Sequence, residues 1–77
     1  MEIVIPKPVM KEAGELVAQY GEHFELKGKY KKYDVYMFVF PENTETGFPF
    51  IYLYDPSANR AYEMTGFEAL EILSRTK

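Results

Sequence analysis

The chain has 77 residues, a formal net charge of −3 and no cysteine. This length provides one domain, residues 1–77, with little apolar surface to spare. Because cysteine is absent, disulfides, thiolate metal sites and thiol nucleophiles are excluded. The aromatic content of 17% and the hydrophobic content of 47% predict a folded chain rather than a disordered one.

The sequence favours a cytoplasmic protein with no membrane partner. Met1–Pro6 contains an acidic residue and only three consecutive aliphatic residues, which does not fit a signal peptide. The longest apolar run, Val35–Phe40, is far shorter than the ~20 residues that a membrane-spanning helix needs. We therefore expect the chain to act in the cytoplasm.

The first long periodic segment predicts an amphipathic helix. Its apolar residues recur at three- and four-residue spacing: Val9, Ala13, Leu16, Val17 and Tyr20. Pro8 suits the first helical turn, and Gly21 suits the end of the helix. Gly14 lies inside this segment, and its lack of a side chain predicts close packing on a sheet. Upstream, Ile3–Ile5 could add a short strand, which the sequence leaves open.

From Glu22 onward the apolar period changes to two, which predicts a β-hairpin. A two-residue turn at Lys31–Lys32 would join the alternating segment from Glu22 to Tyr30 to a second strand, Tyr33–Phe40. That turn predicts four pairs on one face: Tyr30 with Tyr33, Gly28 with Val35, Leu26 with Met37 and Phe24 with Val39. Two lysines are poor residues for a tight hairpin turn, so a bulge at Gly28 or a longer loop is the alternative.

The remaining elements complete an α+β fold. A polar loop, Pro41–Gly47, leads to a third strand, Phe48–Tyr54. After the Asp55–Arg60 turn, a short fourth strand over Ala61–Met64 pairs Leu53 with Tyr62 and Ile51 with Met64. Thr65 and Glu68 have the spacing of a capping box and predict the start of a final helix. The predicted fold is a single small domain: a helix, an antiparallel meander of three to four strands, and a second helix.

Strand alternation sorts the side chains of this sheet onto two different faces. One face is largely aliphatic. The other carries six aromatic residues: Tyr36, Phe38, Phe40, Phe50, Tyr52 and Tyr54. Two short helices cover roughly one face of such a sheet, and we expect both on the aliphatic face. The six rings would then remain exposed and form an interaction face.

Three uses of the six aromatic residues are open from the sequence. A helix or the Pro41–Gly47 loop could fold across them and complete the core. Two copies of the chain could stack them about a twofold axis, or a ligand or another protein could bind there. We expect a homodimer, with Lys27 and Lys29 at its rim. The predicted function is that of a non-enzymatic interaction or regulatory module.

A basic cluster supports the alternative function of a nucleic-acid or phosphate-ligand binder. The cluster holds four of the nine basic residues: Lys27, Lys29, Lys31 and Lys32. Tyr30 lies among them, so lysines could contact phosphates while bases stack on aromatic rings. The other reading is a solvated hairpin tip that keeps the strand edge from aggregating.

The sequence contains no recognisable catalytic or cofactor motif. His23 is the only histidine, which leaves no multi-histidine metal site. The two serines, Ser57 and Ser74, do not lie in a nucleophile motif, and the five glycines are too scattered for a phosphate-binding loop. We therefore expect no catalytic residue, no metal and no cofactor.

Overall fold

The structure is a computed structural model that describes residues 4–41 and 49–77. Its elements follow in chain order: α1 Lys7–Glu12, α2 Gly14–Tyr20, β1 Phe24–Tyr30, β2 Tyr33–Phe38, β3 Ile51–Asp55, β4 Arg60–Met64 and α3 Gly66–Arg75. The four strands form one antiparallel sheet in the order β1-β2-β3-β4. The predicted order of helix, antiparallel meander and helix is confirmed.

One predicted segment falls largely outside the described residues, and two others have one residue each outside them. Of the predicted Pro41–Gly47 loop, only Pro41 is described, and Phe48 of the third predicted strand is not. Ile3 is also outside the described residues, while Val4 and Ile5 are described and do not lie in a strand. Pro49 and Phe50 are described but do not lie in the strand, so the third strand begins at Ile51 in the structure.

The first predicted helix consists of two short segments separated at Ala13. The Pro6 carbonyl accepts hydrogen bonds from the N–H groups of Val9 and Met10, at 3.0 and 3.1 Å, which starts α1. Gly21, with φ +92°, ends α2 as predicted. The prediction that Gly14 packs closely on the sheet is wrong, because a Cβ built there would meet no atom within 4 Å.

The β1–β2 hairpin has the predicted register near its turn and a different register beyond Gly28. Three pairs occur at the turn side: Tyr30 with Tyr33, Lys29 with Asp34 and Gly28 with Val35. The register then shifts between Leu26 and Gly28, where Gly28 has φ +135°. Phe24 consequently pairs with Phe38 rather than with Val39. The bulge offered as the alternative is present, and it places Phe24 and Leu26 on the aromatic side of the sheet.

The β3–β4 hairpin has the predicted register, with Leu53 opposite Tyr62 and Ile51 opposite Met64. Its turn is held by Asp55, whose Oδ1 accepts hydrogen bonds from the Ser57 N–H at 3.1 Å and the Ser57 hydroxyl at 2.8 Å. Such bonds from an aspartate to the backbone two residues on are typical of tight turns.

The helices lie on opposite faces of the sheet, so the prediction that both cover the aliphatic face is wrong. On the aromatic face, α1 packs Val9 and the adjoining Ala13 against Tyr36, Phe38, Tyr52 and Ala61. On the aliphatic face, α3 packs Ala69 and Ile72 against Val35, Ile51 and Leu53. The physical reason is area: each aromatic side chain buries ~150–250 Å², and a small domain gains more by covering such a face than by leaving it in water.

The final helix begins where predicted but without the predicted side-chain cap. Thr65 is the N-cap residue and has an extended backbone, yet its side chain makes no capping hydrogen bond, so the Thr65–Glu68 capping box is not formed. The helix has ten residues. Among residues 4–41 and 49–77, no helix combines the length and apolarity needed to cross a bilayer.

Candidate functional site

The six aromatic residues predicted as an interaction face belong to the core beneath α1 and α2. Tyr36, Phe38 and Tyr52 retain only 7%, 2% and 0% of their accessible surface. The other three, Phe40, Phe50 and Tyr54, are partly buried against the same core cluster. The expectation that the helices leave this face bare is wrong. Helices α1 and α2 of the same chain cover the six aromatic residues.

Contacts between rings hold the aromatic core together. Phe24 and Phe38 meet edge to face, with centroids 5.2 Å apart, and Tyr20 of α2 contacts Phe40 in the same way at 5.4 Å. Edge-to-face pairs of this kind are worth ~0.5–1.5 kcal/mol beyond the area that they bury. The bulge at Gly28 matters here because it brings Phe24 to this side of the sheet.

One hydroxyl of the aromatic core reaches a carboxylate at the sheet edge. Tyr52 is fully buried, and its hydroxyl donates a hydrogen bond of 2.8 Å to Oε2 of Glu63 on β4. Burial, this hydrogen bond and the nearby carboxylates of Glu63 and Glu12 raise the pKa of Tyr52 well above its usual range. Burial also raises the pKa of Tyr36, with smaller contributions from Asp34 and Tyr54.

The predicted basic cluster is largely paired with acids. Lys27 lies 3.0 Å from Glu25, Lys29 lies 3.9 Å from Asp34 and Lys32 lies 3.4 Å from Asp55. Lys31 has no ion-pair partner among the described residues, and its ammonium lies 5.3 Å from the centre of the Tyr30 ring. Three of the four predicted lysines are thus compensated locally, and Lys31 keeps its charge available.

Asp55 joins the two turns at this end of the sheet. Its Oδ2 lies 3.4 Å from Nζ of Lys32 in the β1–β2 turn, while its Oδ1 holds the β3–β4 turn. The hydrogen bond from the Ser57 hydroxyl, followed by the Ala58 N–H and Lys32, lowers the pKa of Asp55 against the opposing effect of desolvation. A carboxylate that stays ionised here fixes both turns relative to each other.

Three tyrosines lie side by side on the α3 face of the sheet, and we call them the tyrosine row: Tyr30, Tyr33 and Tyr62. Tyr30 and Tyr33 are a cross-strand pair, and the rings of Tyr33 and Tyr62 meet edge to face with centroids 6.2 Å apart. The first two are half-buried against the α3 core, whereas Tyr62 is 42% exposed. Nζ of Lys32 lies 5.6 Å from the centre of the Tyr33 ring, within cation–π range.

Sequence reasoning missed the tyrosine row as a site because it treated the whole aliphatic face as covered by helices. The signal was present: the predicted pairs put Tyr30 beside Tyr33 and put Tyr62 opposite Leu53, all on one face. What the sequence does not give is the extent of α3. Its buried residues, Ala69 and Ile72, pack against Val35, Ile51 and Leu53 and leave Tyr62 accessible.

Comparisons with protein-family models, with curated proteins and with solved structures found no match for this chain. In the part of the chain that the structure describes, no group of three or more His, Cys, Asp or Glu residues is placed to hold a metal ion.

Proposed function

We propose that this protein is a small binding module for single-stranded nucleic acid, and that the tyrosine row with its neighbouring cations is the contact surface. The role proposed is binding rather than catalysis. The observation that carries it is a pair of ammonium groups beside tyrosine rings at the end of the sheet that holds the hairpin turns. Nζ of Lys31 lies over the Tyr30 ring, and Nζ of Lys32 lies over the Tyr33 ring.

The tyrosine row offers ring faces and edges to unpaired bases. Stacking of a base on an aromatic side chain is worth ~1–3 kcal/mol and requires little sequence preference, because every base has a π-face. Bases inside a duplex are already stacked and cannot reach such rings, which favours a single strand as the ligand. Tyr62, at 42% exposure, is the most accessible ring of the three.

Local charge at this end of the sheet is positive although the whole chain is acidic. Lys31 and Lys32 lie beside rings of the tyrosine row, and Asp55, the carboxylate paired with Lys32, also holds its own turn. A local patch of this kind can attract phosphates even when the net charge is −3.

Self-association through the six aromatic residues has less support. Its six aromatic contacts would have to come from a face on which Tyr36, Phe38 and Tyr52 are buried. A dimer would need a different surface, and none of the described contacts points to one.

The test is binding of a fluorescein-labelled dT12 oligonucleotide, measured by anisotropy over a series of salt concentrations. Tyr62→Ala should weaken binding by about fivefold or more, because one stacking platform is lost. Lys31→Gln should reduce the slope of log affinity against log salt by about 0.7, the value for one phosphate contact on a single strand.

Lys27→Gln is the matched control, since it removes the same charge from a lysine paired with Glu25 and lies about 13 Å along the strand from Lys31. It should leave both affinity and salt slope within error of the unsubstituted protein. Absence of binding at 20 mM salt would contradict the proposal. So would equal losses for Lys27→Gln and Lys31→Gln, which would indicate attraction to charge without a defined site.

A further inference from the structure

We infer that the cleft between α1 and β4 is a binding site for a phosphate group. This α1–β4 cleft has a volume of about 660 Å³ and lies at the β4 edge of the sheet. Three cationic residues line it: Lys7, Lys11 and Arg60. Phosphate binding here does not depend on the proposed nucleic-acid function, because a phosphate ion has no base to stack.

The three cations of the cleft have no acidic partner among the described residues. The ion pairs in the described part of the chain engage other lysines and Arg75. One carboxylate, Glu12, also lines the cleft, which leaves a formal charge of +2. By contrast, the lysines of the β1–β2 hairpin are mostly paired, so the cleft holds the larger share of uncompensated positive charge.

The spacing of the two lysines indicates that their charges repel when the cleft is empty. Lys7 and Lys11 are four residues apart on α1, which places them on the same side of the helix with Cβ atoms about 6 Å apart. Like charges at this spacing destabilise a helix, and an anion between them removes the repulsion. Arg60 adds a planar guanidinium that can donate two parallel hydrogen bonds to phosphate oxygens.

Asn59 supplies a neutral donor at the same cleft. Its Oδ1 accepts a hydrogen bond of 2.8 Å from the Tyr54 hydroxyl, which leaves its Nδ2 with two hydrogens to donate. Asn59 has φ +52°, a conformation that asparagine adopts more readily than most residues. The turn thus fixes an amide donor beside Arg60, and donors together with cations are the chemistry that phosphate requires.

The experiment is a titration of the ¹⁵N-labelled full chain with inorganic phosphate, followed by two-dimensional amide NMR at constant ionic strength. Saturable shifts should occur at Lys7, Lys11, Asn59 and Arg60. Arg60→Gln should weaken binding about fivefold, the effect of one unit charge at contact distance in water. Glu12→Gln should strengthen it by a similar factor, because it removes the one negative charge of the cleft.

Arg75→Gln is the control, because Arg75 is an exposed cation paired with Glu71 on a helix that contacts β1, at the opposite edge of the sheet. It should not change the affinity. Lys11→Gln provides a second cleft variant, expected to lose affinity as Arg60→Gln does. Shifts that do not saturate, or equal effects of Arg60→Gln and Arg75→Gln, would overturn the inference. So would unchanged or weaker binding by Glu12→Gln, because a real anion site must respond in opposite directions to Arg60 and Glu12.

The source of the phosphate is distinguished with dT6 carrying or lacking a 5′-phosphate. If the cleft takes the end of a strand, the phosphorylated oligonucleotide binds more tightly, and inorganic phosphate abolishes only that difference. If it takes a free phosphate ion, the two oligonucleotides bind equally while the titration with inorganic phosphate still saturates. Either result supports the site, and loss of both the saturation and the difference would refute it.

Discussion

Lys29 and Lys77 exchange two backbone hydrogen bonds. The Lys29 N–H donates to the Lys77 carbonyl at 2.8 Å, and the Lys77 N–H donates to the Lys29 carbonyl at 2.9 Å. Lys29 lies on β1, an edge strand whose outer backbone groups would otherwise be open to pairing with another chain. The segment after α3 therefore closes this edge next to the bulge at Gly28.

The close approach of Lys77 makes Gly28 the glycine most sensitive to substitution among those described. A Cβ at Gly28 would overlap the Lys77 carbonyl, and the φ of +135° is itself strained for any L side chain. We expect Gly28→Ala to lower the free energy of unfolding by about 2 kcal/mol, measured by urea denaturation. Gly14→Ala is the control: its Cβ would enter open space, and it should stabilise by about 0.5 kcal/mol. Equal effects would contradict this account of the bulge.

Burial of the aromatic face predicts that Phe38→Glu unfolds the protein rather than separating a dimer. Phe38 is 2% exposed beneath the helices, and an unpaired carboxylate there costs more than the ~5 kcal/mol that stabilises many small domains. Val39→Glu, at a neighbouring residue with 40% exposure, should keep the fold. Circular dichroism and sedimentation distinguish the outcomes. A folded monomeric Phe38→Glu variant would refute the packing described for α1 and α2.

The raised pKa of Tyr52 predicts that the protein loses stability at alkaline pH. Its pKa is raised in the folded state, so its contribution is fully present below the unfolded pKa of ~10 and is lost as the pH rises above that value. Tyr52→Phe should cost about 1 kcal/mol at pH 7, because it removes the hydrogen bond to Glu63. Between pH 10 and 12 the variant should lose stability less steeply than the unsubstituted protein, as followed by urea denaturation at each pH. Parallel pH profiles would rule out this role for Tyr52.

The lowered pKa of Asp55 predicts that the protein loses stability at acidic pH. Its pKa is lowered by the Ser57 hydroxyl, the Ala58 N–H and Lys32, so its stabilising effect is present above the unfolded pKa of ~3.9 and is lost as the pH falls through the folded value. Asp55→Asn should therefore lower the melting temperature at pH 7, and the difference from the unsubstituted protein should shrink as the pH falls below ~4. A difference that stays constant down to pH 2 would show that Asp55 is not acting as a carboxylate.

The limits of sequence reasoning are visible in two elements. Near the turns, alternation alone predicted the correct pairs of Gly28 with Val35 and Leu53 with Tyr62, because register there is set by adjacent residues. Beyond the turn, the bulge at Gly28 moves the Phe24 side chain from the predicted aliphatic face to the aromatic face. Alternation does not reveal it, because the carbonyl that crowds Gly28 belongs to Lys77, which is distant in sequence.

The sequence also does not predict on which side of the sheet the first helix packs. The periodicity of α1 and α2 shows one apolar face but does not say which sheet face it meets. The size of the side chains was one indication of the correct face, because Val9 and Ala13 are small enough to lie against the rings of Phe38 and Tyr52. The α1–β4 cleft was missed for a related reason, since Lys11 and Arg60 are brought together by tertiary packing and share no local motif.

The meander has a consequence for the route by which the chain folds. Each strand pairs with its neighbour in sequence, so the sheet can assemble by closing one short loop after another at low entropic cost. The packing of Val9 on Tyr52 joins distant parts of the chain and closes a far larger loop. We expect hairpin contacts to be formed in the folding transition state and this helix docking to follow it, which gives low φ-values at Val9 and higher ones in the hairpins.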